Sequence, residues 1–116
     1  MTSDTTHRLE RLRNKLAIGE LDAFLVSTPQ NRLYLSGFNG SAGYLFITAT
    51  NTFLITDFRY VEQATHQAPN FSVIQMRVGD QWFQSLLADH SIRCVGLEAQ
   101  HLTVTQFKHC IISHYF

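Results

Sequence analysis

Three residues, Ala49-Thr50-Asn51, separate two β-rich runs, Tyr44–Thr48 and Thr52–Thr56. So short a gap leaves an antiparallel hairpin as the simplest join. The flanking sequence fixes what that hairpin can belong to. Upstream, Ala23-Phe24-Leu25-Val26 is a continuous apolar run bounded by Asp22 and Ser27. Such a run, without alternation, suits a central strand covered on both faces. Downstream, strand-like runs at Phe71–Met76 and Ile92–Leu97 alternate with helix-like ones. A hairpin embedded among β-α units predicts an α/β domain with a mixed sheet of five strands and helices on both faces.

The helices are read from periodicity and punctuation. Leu9, Leu12 and Leu16 recur at i, i+3 and i+7 and stack on one face of a first helix, with Gly19 as its stop. Arg8, Arg11 and Lys15 share a different face, which reads as a solvated one. Pro29 is a good first-turn residue for a short helix over Gln30–Leu35. Asp57 is placed to cap a helix from about Phe58 to Gln67. Asp80 is placed to cap another, in which Trp82, Phe83, Leu86 and Leu87 make one stripe. Thr103 and Gln106 have capping-box spacing, and Leu102 with Phe107 has staple spacing. They predict a last helix burying Val104, Phe107 and Ile111. The expected order is α-β-α-β-β-α-β-α-β-α, a pattern that stops where one more strand would follow.

Size and charge exclude several classes of function. At 116 residues and 45% hydrophobic, the chain supports one core, so residues 1–116 read as a single domain. Nine basic residues balance nine acidic ones, which argues against nucleic acid or an anionic membrane as partner. No apolar run approaches the ~20 residues of a membrane span, and the amino terminus has no apolar signal region. Cytoplasm is the expected location. Cys94 and Cys110 read as two reduced thiols in the core, one in a strand and one in a helix.

The segment Gly37-Phe38-Asn39-Gly40-Ser41-Ala42-Gly43 is the most conspicuous local feature. Its glycines stand three apart and lead into a strand, so they match neither a dinucleotide fingerprint nor a phosphate loop. Ser41 lacks the spacing of a nucleophile elbow. The six histidines have no zinc-ligand spacing. Taken alone, the residues assemble no active site.

Two stretches carry a resemblance. Asn31-Arg32-Leu33-Tyr34-Leu35-Ser36-Gly37-Phe38-Asn39-Gly40-Ser41-Ala42-Gly43 is similar to the N-x-x-Y-L-[ST]-G-F-x-G-S-x-G signature of the creatinase/prolidase amino-terminal domain. Further on, Leu54-Ile55-Thr56-Asp57-Phe58-Arg59-Tyr60-Val61-Glu62-Gln63-Ala64 resembles that domain's L-x-T-D-x-R-Y-x-x-Q-A. The leading R-L-x-x-L-R helix, the Asp22–Val26 strand and Val95-Gly96-Leu97-Glu98 fit as well. The resemblance runs from about Arg8 to Gln106 and points to Xaa-Pro aminopeptidases and dipeptidases.

It implies a ribonuclease-H-like mixed sheet and a non-catalytic role in assembly and in shaping substrate access. In that family a larger carboxyl-terminal domain with the pita-bread fold does the chemistry, holding two divalent ions, commonly manganese. This chain is expected to lack that domain, to hold no cofactor itself and to contribute no metal ligand. Either it is an excised domain or a naturally short binding and oligomerisation module. The implied partners are its own catalytic domain, further copies of itself and, indirectly, proline-containing peptides. Tyr34 and Phe38 are expected to anchor the loop to the sheet. Phe38, Asn39, Arg59 and Tyr60 are the candidates for substrate-mouth or interface contacts.

Overall fold

In the computed structural model, which describes residues 2–18, 21–77, 79, 81–98 and 110–114, the apolar run becomes β1 (Ala23–Val26). All four residues are buried, because neighbours cover both edges and helices cover both faces. β2 (Tyr44–Thr48) pairs antiparallel along one edge and β5 (Cys94–Glu98) parallel along the other. β3 (Thr52–Thr56) returns antiparallel on β2, with Tyr44 opposite Ile55 and Ile47 opposite Thr52. Thr48 shapes the hairpin turn, its Oγ1 accepting from the backbone N–H groups of Thr50 (3.2 Å) and Asn51 (2.8 Å). β4 (Ser72–Gln75) adds parallel to β3, and β6 (Cys110–His114) parallel to β5. The strand order is β4-β3-β2-β1-β5-β6.

Alternate residues along the strands feed two cores. Phe24, Val26, Leu45, Ile47 and Leu54 face three helices, α1 (Thr2–Ile18), α2 (Pro29–Ser36) and α3 (Val61–Gln67). The intervening Ala23, Leu25, Phe46, Ile55 and Val95 face α4 (Trp82–Asp89), which contributes Phe83, Leu86 and Leu87. The 17 residues of α1 make a helix that is marginal in isolation. Burying Leu9, Leu12 and Leu16, at roughly 2 kcal/mol each, is what holds it on the sheet. Arg13 adds a polar pin, its guanidinium donating to the carbonyls of Thr48 (2.9 Å) and Asn51 (3.3 Å) at the hairpin turn.

The mixed sheet, its embedded hairpin and the helices on both faces are as the sequence predicts, and all five expected strands form. The helix expected over Phe58–Gln67 is instead a 3-10 turn, Phe58–Tyr60, followed by α3. The Tyr60 N–H bonds the Asp57 carbonyl three residues back (3.0 Å), which tightens this first turn.

The larger correction is at the carboxyl end. The spacing places Ile111 in a helix with no strand after it, yet Cys110–His114 is a strand on β5. The sheet therefore has six strands, and Cys110 lies in one of them. The β-branched pair Ile111-Ile112 suits the pleat, and the exposed edge of β5 supplies the ladder that local helix signals do not outweigh. Thr103, Val104, Gln106 and Phe107 lie outside the described residues, as do Gly19 and Asp80.

Candidate functional site

The glycine-spaced loop is built around Arg32. Pro29 opens α2 with its φ already set, and one turn later Arg32 points inward, only 3% exposed. Its Nη1 donates to the carbonyls of Ser27 (2.9 Å) and Gly43 (3.1 Å), and its Nη2 to that of Gly40 (2.8 Å). A buried charge is costly unless its donors are met, and here the acceptors are the exit of β1, the middle of the loop and its last glycine. Gly37 ends α2 at φ 84°, its N–H bonding the Leu33 carbonyl, a left-handed conformation that only glycine adopts without strain. At Gly40 a Cβ would lie 2.2 Å from the Phe38 ring, so the ring and the loop backbone fit only without one.

The second signature stretch packs against this loop. Phe38, fully buried, meets Tyr60 edge-on at 6.1 Å. Ser41 Oγ and the Tyr60 hydroxyl lie 2.6 Å apart. Gln63 Nε2 donates to Asn39 Oδ1 (2.7 Å) and to Gln67 Oε1 (3.2 Å), and Gln67 Oε1 also accepts from the Asn39 N–H (3.1 Å). From β3, Thr56 Oγ1 donates to the Ala42 carbonyl (2.6 Å). The two stretches, well separated in sequence, are one polar surface in space.

Arg59 stands at the edge of that surface. Its Nε and Nη2 donate to the two oxygens of Asp57 (3.1 and 2.8 Å), and its guanidinium lies 5.1 Å over the Tyr60 ring. The Arg59 N–H also bonds Asp57 Oδ1 (2.9 Å), so Asp57 caps the turn as its position predicts. The side-chain hydrogen bond from Arg59 is the largest influence holding the Asp57 carboxyl below its ordinary 3.8. Beside the pair, Phe58 is 72% exposed.

The four candidates thus divide. Asn39, Arg59 and Tyr60 reach the surface, whereas Phe38 is buried beneath them and can only position the loop. Tyr34 does not anchor the loop to the sheet. Arg32, Leu35 and Ser36 occupy the inner face of α2, which turns Leu33 and Tyr34 outward, and Tyr34 is 47% exposed. Ser41 and Gln63, though signature positions, are not among the four candidates, and neither are Arg32 and Gln67. For Arg32 the signal was available, since i+3 and i+4 from it fall the apolar Leu35 and the helix-ending Ser36.

The pattern agrees with known proteins. The family model described as Creatinase/Prolidase N-terminal domain matches residues 8–111. An uncharacterized peptidase of Bacillus subtilis, YqhT, is 41% identical over 68 residues, covering 59% of this chain and 19% of that protein. A crystal structure of an Xaa-Pro aminopeptidase from Streptococcus pyogenes superposes with TM-score 0.87 at 29% identity, over 98% of this chain and 94% of that one. An Xaa-Pro dipeptidase from Bacillus anthracis gives TM-score 0.85 at 28% identity, over 96% of this chain and 34% of that one. The chain spans well under two thirds of YqhT and of the dipeptidase, 19% and 34% respectively.

Replacing Arg32 with Met should leave three carbonyls facing an apolar side chain and destabilise the fold by about 3 kcal/mol. Urea unfolding measures this, and a loss below about 1 kcal/mol would show that the loop does not depend on the guanidinium. Asp57 yields a pH prediction. Because its folded pKa is depressed, its contribution is present above the unfolded value and is lost as pH falls through the folded one, below about pH 4. A carboxyl NMR titration should place Asp57 below 3.8 in the native chain and nearer to it in Arg59→Gln. Coincident midpoints would remove Arg59 as the cause.

Proposed function

The chain belongs to the family of creatinase/prolidase N-terminal domains, and from that premise we propose that it is the non-catalytic amino-terminal domain of a proline-specific peptidase, contributing to assembly and to the shape of the substrate entrance. The observation that carries this reading is the fusion of the two signature stretches into one ordered, exposed surface. Asn39, Ser41, Tyr60 and Gln63 are held by hydrogen bonds to one another's segments before anything docks. Such a surface gives up little side-chain freedom on contact, which favours a wall or an interface. Phe58, a large ring left 72% exposed next to Arg59, is the kind of residue that an interface covers.

On this reading the hydrolytic step belongs to a separate pita-bread domain, where two divalent ions, manganese for preference, would activate a water. The residues here do not fit such a pair. Asp22 Oδ2 accepts from the backbone N–H groups of Arg93 (2.9 Å) and Cys94 (3.0 Å), and Asp57 is engaged by Arg59. Among the described residues no three His, Cys, Asp or Glu side chains converge. The partners on this reading are the catalytic domain, a second copy of the protein and, through the entrance, proline-containing peptides. No helix of the described residues is long and apolar enough to cross a membrane. We place the protein in the cytoplasm, where the half-buried Cys94 thiol remains reduced.

Assayed alone, the chain should hydrolyse no Xaa-Pro peptide, with or without added manganese. Turnover that follows the chain through purification, with stoichiometric metal, would overturn the non-catalytic reading. Light scattering over a concentration series should show self-association that Phe58→Ser weakens, while its unfolding midpoint in urea stays within the range of an ordinary surface change. A monomer at every concentration, in both forms, would remove the assembly role.

A further inference from the structure

The basic stripe of α1 does not face open solvent along its whole length. It forms one wall of a groove of about 390 Å³ between α1 and α2. Arg8, Arg11 and Lys15 line that wall, Asn31 and Tyr34 the opposite one, and the buried Leu12 and Leu35 complete the lining. Among the described residues no carboxylate lines it. Arg8 is fixed in place, donating to the Tyr34 carbonyl (2.8 Å) with its guanidinium 4.3 Å over the Tyr34 ring. The groove therefore has a rigid cationic corner, two further cations on exposed stems and apolar side chains between the helices.

We propose that this groove docks an acidic segment of another polypeptide, carboxylates toward α1 and apolar side chains against the half-exposed Tyr34 ring above the Leu12 and Leu35 floor. Three properties select that occupant. From Arg8 to Lys15 the cations span about 10 Å of helix, at 1.5 Å per residue, more than one phosphate or carboxylate bridges. The 116 residues together have a formal net charge of +0, so this domain lacks the broad positive field with which nucleic acid is gathered. A second copy offers no acidic run, since its nine carboxylates are scattered and the closest pair is Glu20 with Asp22. The groove lies on α1 and α2, whereas the surface proposed for assembly lies at Arg59 and Phe58, so the two readings stand independently.

The test uses the full chain and a short fluorescein-labelled peptide of alternating Glu and Leu, followed by anisotropy. Binding is expected at low salt, with marked weakening at about 0.5 M salt, where screening is nearly complete. Arg11→Glu with Lys15→Glu should weaken it about tenfold or more, as two reversed contacts of this kind imply. Both side chains are exposed and the helix keeps its three leucines, so circular dichroism should report an unchanged fold. Arg93→Glu, one such charge reversal on an exposed residue after α4, should leave binding intact, where Arg11→Glu alone weakens it. A Lys/Leu peptide, pyrophosphate and a single-stranded oligonucleotide should not displace the ligand. No binding of the Glu/Leu peptide, equal binding by the double variant, or preferential binding of the oligonucleotide would each overturn the proposal.

Discussion

The Arg32 guanidinium carries a full charge where water does not reach, and the loop from Gly37 to Gly43 exists in its observed shape to answer it. Ser27 ends the central strand's exit, Gly40 sits at the middle of the loop, and Gly43 stands at the entrance to β2. One planar group with donors in a fixed fork joins all three. A lysine in its place would offer a single ammonium on a flexible stem, with no way to hold the carbonyls at that separation. The loop's glycines follow from the same constraint. The backbone approaches the Phe38 ring so closely at Gly40 that no side chain fits. The exposed polar surface inherits its order from this buried node.

The two faces of the sheet divide the work between them. Three helices lie on one face, and α2, with the loop that follows it, shares that face with α3. That arrangement brings Asn39 within reach of Gln63 and Gln67, and Ser41 within reach of Tyr60. The other face is closed by α4, through Phe83 edge-on to Phe46 at 5.9 Å and Trp82 against Tyr44 at 5.2 Å. The polar surface and the α1–α2 groove thus lie on one side of the sheet, while the aromatic stacking on the other is occupied with holding α4.

What the sequence made legible was local and apolar. The uninterrupted Ala23–Val26 run, the three-residue gap of the hairpin and the leucine stripe of α1 each encode their element within a few residues, and each forms as written. The failures are non-local. Helical spacing places Arg32 on the same face as Leu35 and Ser36, but its acceptors, at positions 27, 40 and 43, converge only after the loop closes. Tyr34 reads as an anchor until the inner face of α2 is known to belong to Arg32, Leu35 and Ser36. Ile111 continues a helix-like pattern locally, and only the open edge of β5 makes its segment a strand. The candidate surface was half visible: Ser41, Arg59, Tyr60 and Gln63 are signature positions, but Asn39 is a variable one and Gln67 lies beyond the second stretch, and the contacts that join them span more than twenty residues.

Asp22 carries a consequence for how the chain is made. Its carboxylate accepts from the N–H groups of Arg93 and Cys94, 71 and 72 residues later, and β5 then runs parallel along β1 from that point. A ribosome releases the amino terminus first, so β1 and the hairpin emerge well before their partner on the far side. Until β5 is made, β1 can pair along β2 only, and within its four apolar residues no charge guards the second edge. Open edges of this kind recruit other chains. That edge of β1 closes only where the N–H groups of Arg93 and Cys94 meet the Asp22 carboxylate, so the central strand's second ladder waits until most of the chain has been made.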